Sequence, residues 1–203
     1  MNLFPPDPQL NLLPCDGTVN YHGRILTPTE ADRCLDALLH GVPWRHDEAV
    51  IFGKHIVTAR QVAWYGDTGF SYTYSGTTRH AIPWNHELTQ IKALVEQHTG
   101  TTFNSCLLNL YHDGNEGMAW HSDDETSLGR DACIASLSLG AERRFCFKHK
   151  RTAQQVETVL EHGGLLLMQG TTQTHWLHSL PKARRVSAPR INLTFRTMIG
   201  QGG

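Results

Sequence analysis

The order of its elements predicts an α+β chain whose sheets curl into a double-stranded β-helix, or jelly roll, with N-terminal helices packed on the sheet. Three observations carry this expectation. Two amphipathic helical segments come early, a run of short strands follows, and the last strand alternates polar and apolar residues at every position from Arg190 to Arg196. The chain contains no internal repeat.

Residues 1–20, with Pro5, Pro6, Pro8 and Pro14, read as an irregular tail. Residues 21–203 are expected to form a single domain, long enough for one well-buried core. A helix is predicted from about Pro28 to His40, because Thr27 and Glu30 make a capping box, Pro28 suits a first turn and Gly41 stops it. Its Ala31, Leu35, Leu38 and Leu39 recur at helical spacing and are core candidates. A second helix, from about Asn85 to His98 and ended by Gly100, presents Leu88, Ile91 and Val95 in the same way. Strands are predicted at 105–111, 133–139, 143–149, 156–160, 165–168, 174–178 and 190–197.

Two of these strands have faces of opposite character. Arg190, Asn192, Thr194 and Arg196 share one side of the last strand, with Ile191, Leu193 and Phe195 on the other. Leu107, Asn109 and Tyr111 likewise oppose a purely apolar row of Cys106, Leu108 and Leu110. Such strands suggest a barrel with a polar mouth, and buried polar groups without partners are costly, so the mouth implies a charged ligand. Guanidinium groups bind carboxylates through two parallel hydrogen bonds, which makes a dicarboxylate such as 2-oxoglutarate the natural candidate.

The tract from Trp120 to Glu125 adds His121 and Asp123 in an H-x-D spacing. On an extended segment both side chains point the same way and can reach one metal. Two imidazoles and one carboxylate cover one face of an octahedral iron and leave the other open for a cosubstrate and dioxygen. His175 and His178 both offer the second imidazole; three apart in a strand, they face opposite sides, so only one serves. Alone, an H-x-D triplet is weak evidence, because such triplets are common and more often belong to a solvated polar loop.

Composition sets the surroundings. The five cysteines are odd in number and form no C-x-x-C pair, which argues for a reducing compartment and against a zinc site or disulfide framework. No apolar run is long enough to span a bilayer, and the N-terminus lacks the pattern of a signal peptide. An intracellular protein is therefore expected, cytoplasmic and nucleoid-associated or nuclear. The net charge of −1 hides an asymmetry: between Glu142 and Gly203 ten Lys and Arg stand against three Glu. Phosphate binding depends on such local clusters, and Lys182, Arg184 and Arg185 could hold a nucleic-acid backbone.

At this point the chain resembles the AlkB-type iron(II) and 2-oxoglutarate dioxygenases, which oxidatively dealkylate nucleic-acid bases. The resemblance rests on Tyr65-Gly-Asp-Thr-Gly-Phe-Ser-Tyr-Thr-Tyr-Ser-Gly76, Asn109-Leu-Tyr111, His121-Ser-Asp-Asp-Glu125, His175-Trp-Leu-His-Ser-Leu-Pro181 and Ala188-Pro-Arg-Ile-Asn-Leu-Thr-Phe-Arg196. These blocks fall in order from about residue 50 onward, and the first favours the branch acting on DNA, in particular the human-type homologue that works on duplexes.

The resemblance implies an oxidative demethylase of N-alkylated bases in single- or double-stranded DNA, using Fe(II), dioxygen and 2-oxoglutarate and releasing formaldehyde, succinate and carbon dioxide. It selects His178 as the metal ligand beside His121 and Asp123. It assigns Arg190 to the distal carboxylate of 2-oxoglutarate, with Asn109, Tyr111 and Arg196 completing that site. A nucleotide-recognition lid is expected at about 50–80, where Tyr72 and Tyr74 pack on a flipped base and Phe52 wedges the base stack; outside the lid, Asp124 and Glu125 read the polar edge of that base. The family often has Arg where this chain has Leu110, but alternation turns Leu110 away from the mouth. A monomer is expected. The alternatives are a 2-oxoglutarate oxygenase acting on RNA, protein or a small molecule, and a jelly-roll binding module without turnover.

Overall fold

The computed structural model describes residues 6–51, 54–67, 70–74 and 77–199, with side chains at all of these except 48–51, 54–56, 71–74 and 77–79. In chain order the elements are β1 (Thr18–Arg24), α1 (Pro28–Gly41), β2 (Arg45–Ile51), β3 (Lys54–Gly66), β4 (Ser71–Tyr74), β5 (Thr77–His80), β6 (Ile82–Pro83), α2 (His86–Thr99), β7 (Ser105–Tyr111) and β8 (Met118–His121). A single 3-10 turn (Thr126–Leu128) precedes β9 (Ile134–Gly140), β10 (Arg143–His149), β11 (Gln155–Leu160), β12 (Gly164–Gln169), α3 (Thr172–His175), β13 (Trp176–Leu180) and β14 (Arg190–Arg196).

Both long helices start as their caps dictate. Thr27 and Glu30 form the reciprocal capping box, and Asn85 accepts a hydrogen bond from Leu88 N at the start of α2. Gly100 ends α2 at φ 65°, the left-handed conformation that glycine adopts without strain. Gly41 is still helical, however, and extended Val42 is the residue that ends α1.

The described strands form two main sheets and the separate two-stranded β4–β5 pair. The larger runs β1-β12-β9-β14-β7-β3-β2 with β6 on β3, and the smaller runs β11-β10-β13-β8. Helices α1 and α2 bury Ala31, Cys34, Leu38, Leu88, Ile91 and Val95 against the large sheet, where they meet Cys106, Leu108, Leu110, Ile191, Leu193 and Phe195. The apolar faces of β7 and β14 therefore look toward the helices, and their polar faces look between the sheets. A second cluster, including Val19, Ile134, Phe147, Leu166 and Trp176, closes the other end of that space. This is a jelly roll with its helices packed on one sheet.

Two further local expectations are corrected. The tail expected to residue 20 gives way to β1 at Thr18, whose Val19 and Tyr21 are buried. Just before it, Asn11 Oδ1 accepts from the backbone N–H groups of Leu13 and Val19 and ties residues 11–13 to the strand. The strand expected at 174–178 begins only at Trp176; Thr174 and His175 lie in α3, a turn fixed by Thr172 Oγ1, which bonds Gln169 O and accepts from Thr18 N. Among the described residues no helix is long and apolar enough to cross a membrane.

Candidate active site

His121 ends edge strand β8 and His178 lies directly opposite it on β13. Their rings meet edge to face with centroids 4.3 Å apart. Asp123 follows just beyond β8, its Oδ2 3.9 Å from His178 Nε2, and the three ligand atoms all lie within 4.8 Å of one another. The Nδ1–H of His121 donates to Ala119 O at 2.9 Å, since a carbonyl only accepts, and this leaves Nε2 with a free lone pair.

The charges in this cluster are fixed by their neighbours. Burial alone would raise the Asp123 pKa, but Arg196, with His178 and His121, holds the carboxyl below its ordinary value. The closest of these contacts is Arg196 Nη2 to Asp123 Oδ1, 2.6 Å. Burial first, then the positive groups around it, pushes His178 down to about 3 despite Asp123, so its imidazole is neutral at pH 7, the form that binds a metal.

The cluster faces a cavity of about 1170 Å³ between the sheets, walled on the large-sheet side by Asn109, Tyr111, Arg190, Asn192, Thr194 and Arg196. Arg190 is 2% exposed and lies over the Tyr111 ring at 5.5 Å. Its Nη2 donates to Ser138 Oγ and Asn192 Oδ1, each at 2.9 Å. Burial lowers its pKa to about 10, which leaves it charged at neutral pH. Among the described residues no carboxylate pairs with it, and its Nε is a buried donor without an acceptor. A buried cation in that state favours an anionic ligand.

The remaining candidates separate clearly. Glu125 lines the cavity, 3.7 Å from Arg196 Nη1, whereas Asp124 is exposed and accepts from Ser122 Oγ. Lys182, Arg184 and Arg185 are exposed on the segment after β13 and line no part of the cavity. That segment is tied down at Gly114, where a Cβ would sit 1.8 Å from Ala183 O. Tyr72 and Tyr74 belong to the β4–β5 hairpin, but their side chains, and the whole of Phe52, lie outside the described residues.

His175 is not a ligand of this cluster. It stacks on His149 with centroids 6.2 Å apart beside a separate small cavity. There Cys15, Asp16 and His149 also converge, but His149 Nδ1 accepts from the N–H groups of Arg151 and Thr152. Its proton is therefore on Nε2, donated to Asp16, and this ring presents no free lone pair to a metal.

Sequence reasoning missed several supporting contacts. Ser138 and Asn192 orient Arg190, Gln173 holds the backbone of Asp123, and Arg60 pairs with Asp47 in the cavity wall. The alternation of Ser136 and Ser138 with Leu137 and Leu139 signals a polar inner face on β9; nothing local signals Gln173.

The family described as the 2OG-Fe(II) oxygenase superfamily matches residues 17–196. The chain is 41% identical over 198 residues to the mouse DNA oxidative demethylase ALKBH2, covering 92% of this chain and 81% of that one. It is 42% identical over 179 residues to the human alpha-ketoglutarate-dependent dioxygenase alkB homolog 3, covering 83% of this chain and 62% of the relative. A solved structure, that of OsALKBH1, superposes with a TM-score of 0.59 at 17% identity over 91% of this chain and 99% of that one, a likeness of fold.

Proposed function

The chain belongs to the 2OG-Fe(II) oxygenase superfamily, and on that premise we propose that it is an oxidative demethylase of N-alkylated bases in DNA. One observation carries the reading at this site: a His/Asp/His cluster and a buried guanidinium without an anionic partner among the described residues face the same cavity.

The residues present fit both implied groups. His121 Nε2, Asp123 and His178 would hold iron(II), the two imidazoles neutral and the carboxylate ionised. Arg190, with Asn109 and Tyr111 beside it, would hold the far carboxylate of 2-oxoglutarate, and the unpartnered Nε atoms of Arg190 and Arg196 are donors suited to such a ligand. When bound, iron(II), 2-oxoglutarate and dioxygen supply the oxidising power that converts an N-alkyl group into formaldehyde, with succinate and carbon dioxide as the other products.

The chain's own work is to position and to exclude water. Arg196 takes Oδ1 of Asp123, which turns Oδ2 toward His178 and the metal side. Ser138 and Asn192 both accept from Nη2 and fix the orientation of the planar Arg190 guanidinium, so a carboxylate meets preset donors. Phe145, 5.5 Å from His178 between ring centroids, gives that wall of the cavity an apolar surface.

On the substrate side, a base flipped out of the helix enters the cavity, and a lesion that cannot pair is easier to extract. Glu125 reads its polar edge from the cavity wall. Tyr72 and Tyr74 cover it, Asp124 assists at the rim, and Lys182, Arg184 and Arg185 hold the flanking phosphates. The protein acts as a monomer.

The test is release of succinate and formaldehyde from methylated oligonucleotides, single-stranded and duplex, with RNA of the same sequence alongside. Formaldehyde from DNA in step with succinate is the expected result. Formaldehyde from RNA alone would move the substrate class, and succinate without formaldehyde from any nucleic acid would overturn the demethylase reading.

A further inference from the structure

Asp123 lies past the last residue of β8, so no strand neighbour accepts its backbone N–H. The residue is 7% exposed, and a buried N–H without an acceptor is costly. The acceptor is Gln173 Oε1 at 2.9 Å, brought in by the single-turn helix α3. The orientation of this amide is set by chemistry, because only its oxygen can face an N–H; its Nε2 then points to Met168 Sδ at 3.5 Å.

Gln173 is itself secured. Lys150 Nζ donates to Gln173 O at 2.8 Å and to Ser122 Oγ at 3.0 Å, joining the end of β10 to both α3 and the H-x-D tract. Thr172, the preceding residue of α3, is bonded to Thr18 on β1. The turn that carries Gln173 is thus anchored to both sheets.

We propose that Gln173 is a positioning residue for Asp123, holding the backbone of the carboxylate ligand from α3 while Lys150 secures Gln173. The inference rests on the reading of His121, Asp123 and His178 as the metal ligands. Two restraints then act on Asp123 from opposite ends: Gln173 fixes its backbone, and Arg196 fixes one carboxylate oxygen. What remains free is Oδ2, the oxygen nearest His178. Loss of the Gln173 restraint lets the segment after β8 shift and weakens the grip on the metal without removing a ligand. Partners of this kind contribute roughly tenfold to hundredfold to metal affinity.

The experiment compares Gln173→Leu, which lacks an acceptor, with Gln173→Glu, which keeps one. The metal-free proteins are titrated with cobalt(II) alone and read by its visible ligand-field absorption, with circular dichroism and thermal midpoints confirming the fold. The expected result is cobalt binding weakened roughly tenfold or more in Gln173→Leu and restored to within about threefold of the parent in Gln173→Glu. Gln173→Leu binding cobalt like the parent would overturn the proposal, as would equal losses in two folded variants. Should Gln173→Leu fail to fold, Lys150→Met gives the same reading from the exposed end. It is expected to bind cobalt several-fold more weakly, and parental binding there would also overturn the proposal. A parent protein that takes up no cobalt overturns instead the metal-centre reading on which the proposal rests.

Discussion

His121 and His178 face each other in register across the β8–β13 strand pair, with ring centroids 4.3 Å apart. The alignment of two neighbouring antiparallel strands thus assembles the two imidazoles, and Asp123 joins them from the segment that follows β8.

Replacing His121, Asp123 or His178 by Ala is expected to abolish most metal binding and turnover while the fold survives, since the buried apolar clusters lie elsewhere. His175→Ala should be much milder, because that ring stacks on His149 in a separate cavity. Cobalt(II) titration of the four variants checks this. A His175 variant that loses the metal beside a His178 variant that keeps it would reverse the assignment.

Arg190→Lys keeps the charge but loses the planar fork held by Ser138 and Asn192. Charge-assisted hydrogen bonds contribute about 1.5–3 kcal/mol each, so the 2-oxoglutarate requirement should rise roughly tenfold to a hundredfold. Affinity for DNA should change little. Initial rates against 2-oxoglutarate concentration measure the first, and fluorescence anisotropy with a labelled oligonucleotide the second.

The two faces of β14 should fail differently. Leu193 is fully buried beneath the helices, so Leu193→Ala should cost about 2–5 kcal/mol of stability through the cavity it leaves. Asn192→Ala, on the cavity face beside Arg190, should weaken 2-oxoglutarate binding with a smaller loss of stability. Denaturant midpoints and cosubstrate titrations separate the two; matching effects would contradict the division of faces.

Acid should destabilise the metal-free protein through His178. Burial holds this group at about 3 in the fold against 6.5 when unexposed to such an environment, so on acidification the unfolded chain takes up the proton first. Its contribution is unpenalised above pH 6.5, and stability falls as pH drops from there toward 3 by up to about 1.4 kcal/mol per pH unit. Urea midpoints of metal-free protein at pH 7 and pH 5 should show the decline, and His178→Gln should flatten it. Parallel pH profiles in parent and variant would show that another group is responsible.

Phe52 lies outside the described residues, and its proposed role rests on the apolar sequence Val50-Ile-Phe-Gly and its likeness to a base-stack wedge. An aromatic ring filling the gap left by a flipped base recovers on the order of one to a few kcal/mol of stacking. Phe52→Ala should therefore reduce repair of duplex DNA roughly tenfold or more, with single-stranded repair and the thermal midpoint preserved. Equal losses on both substrates would defeat the wedge.

The α+β jelly roll, the capped helices, the two-faced strands β7 and β14, and the pairing of H-x-D with an arginine-bearing strand are all legible in the amino-acid sequence. Each of these is written in local chemistry: period-two alternation, a capping box, ligand types at short spacing. Strands β2, β3 and β8 were not legible, because residues that line a polar cavity or an edge lack the apolar alternation that marks a half-buried strand. Residues 174 and 175 looked extended, but contacts from Thr172 to β1 fold them into a turn, and this places His175 away from the metal site. The grip of Arg196 on Asp123, the orientation of Arg190 by Ser138 and the hold of Gln173 on the Asp123 backbone arise in the folded chain alone. Those pairs are far apart in the chain, and a side chain's partner across two sheets is set by strand order and register, which no local pattern of residues encodes.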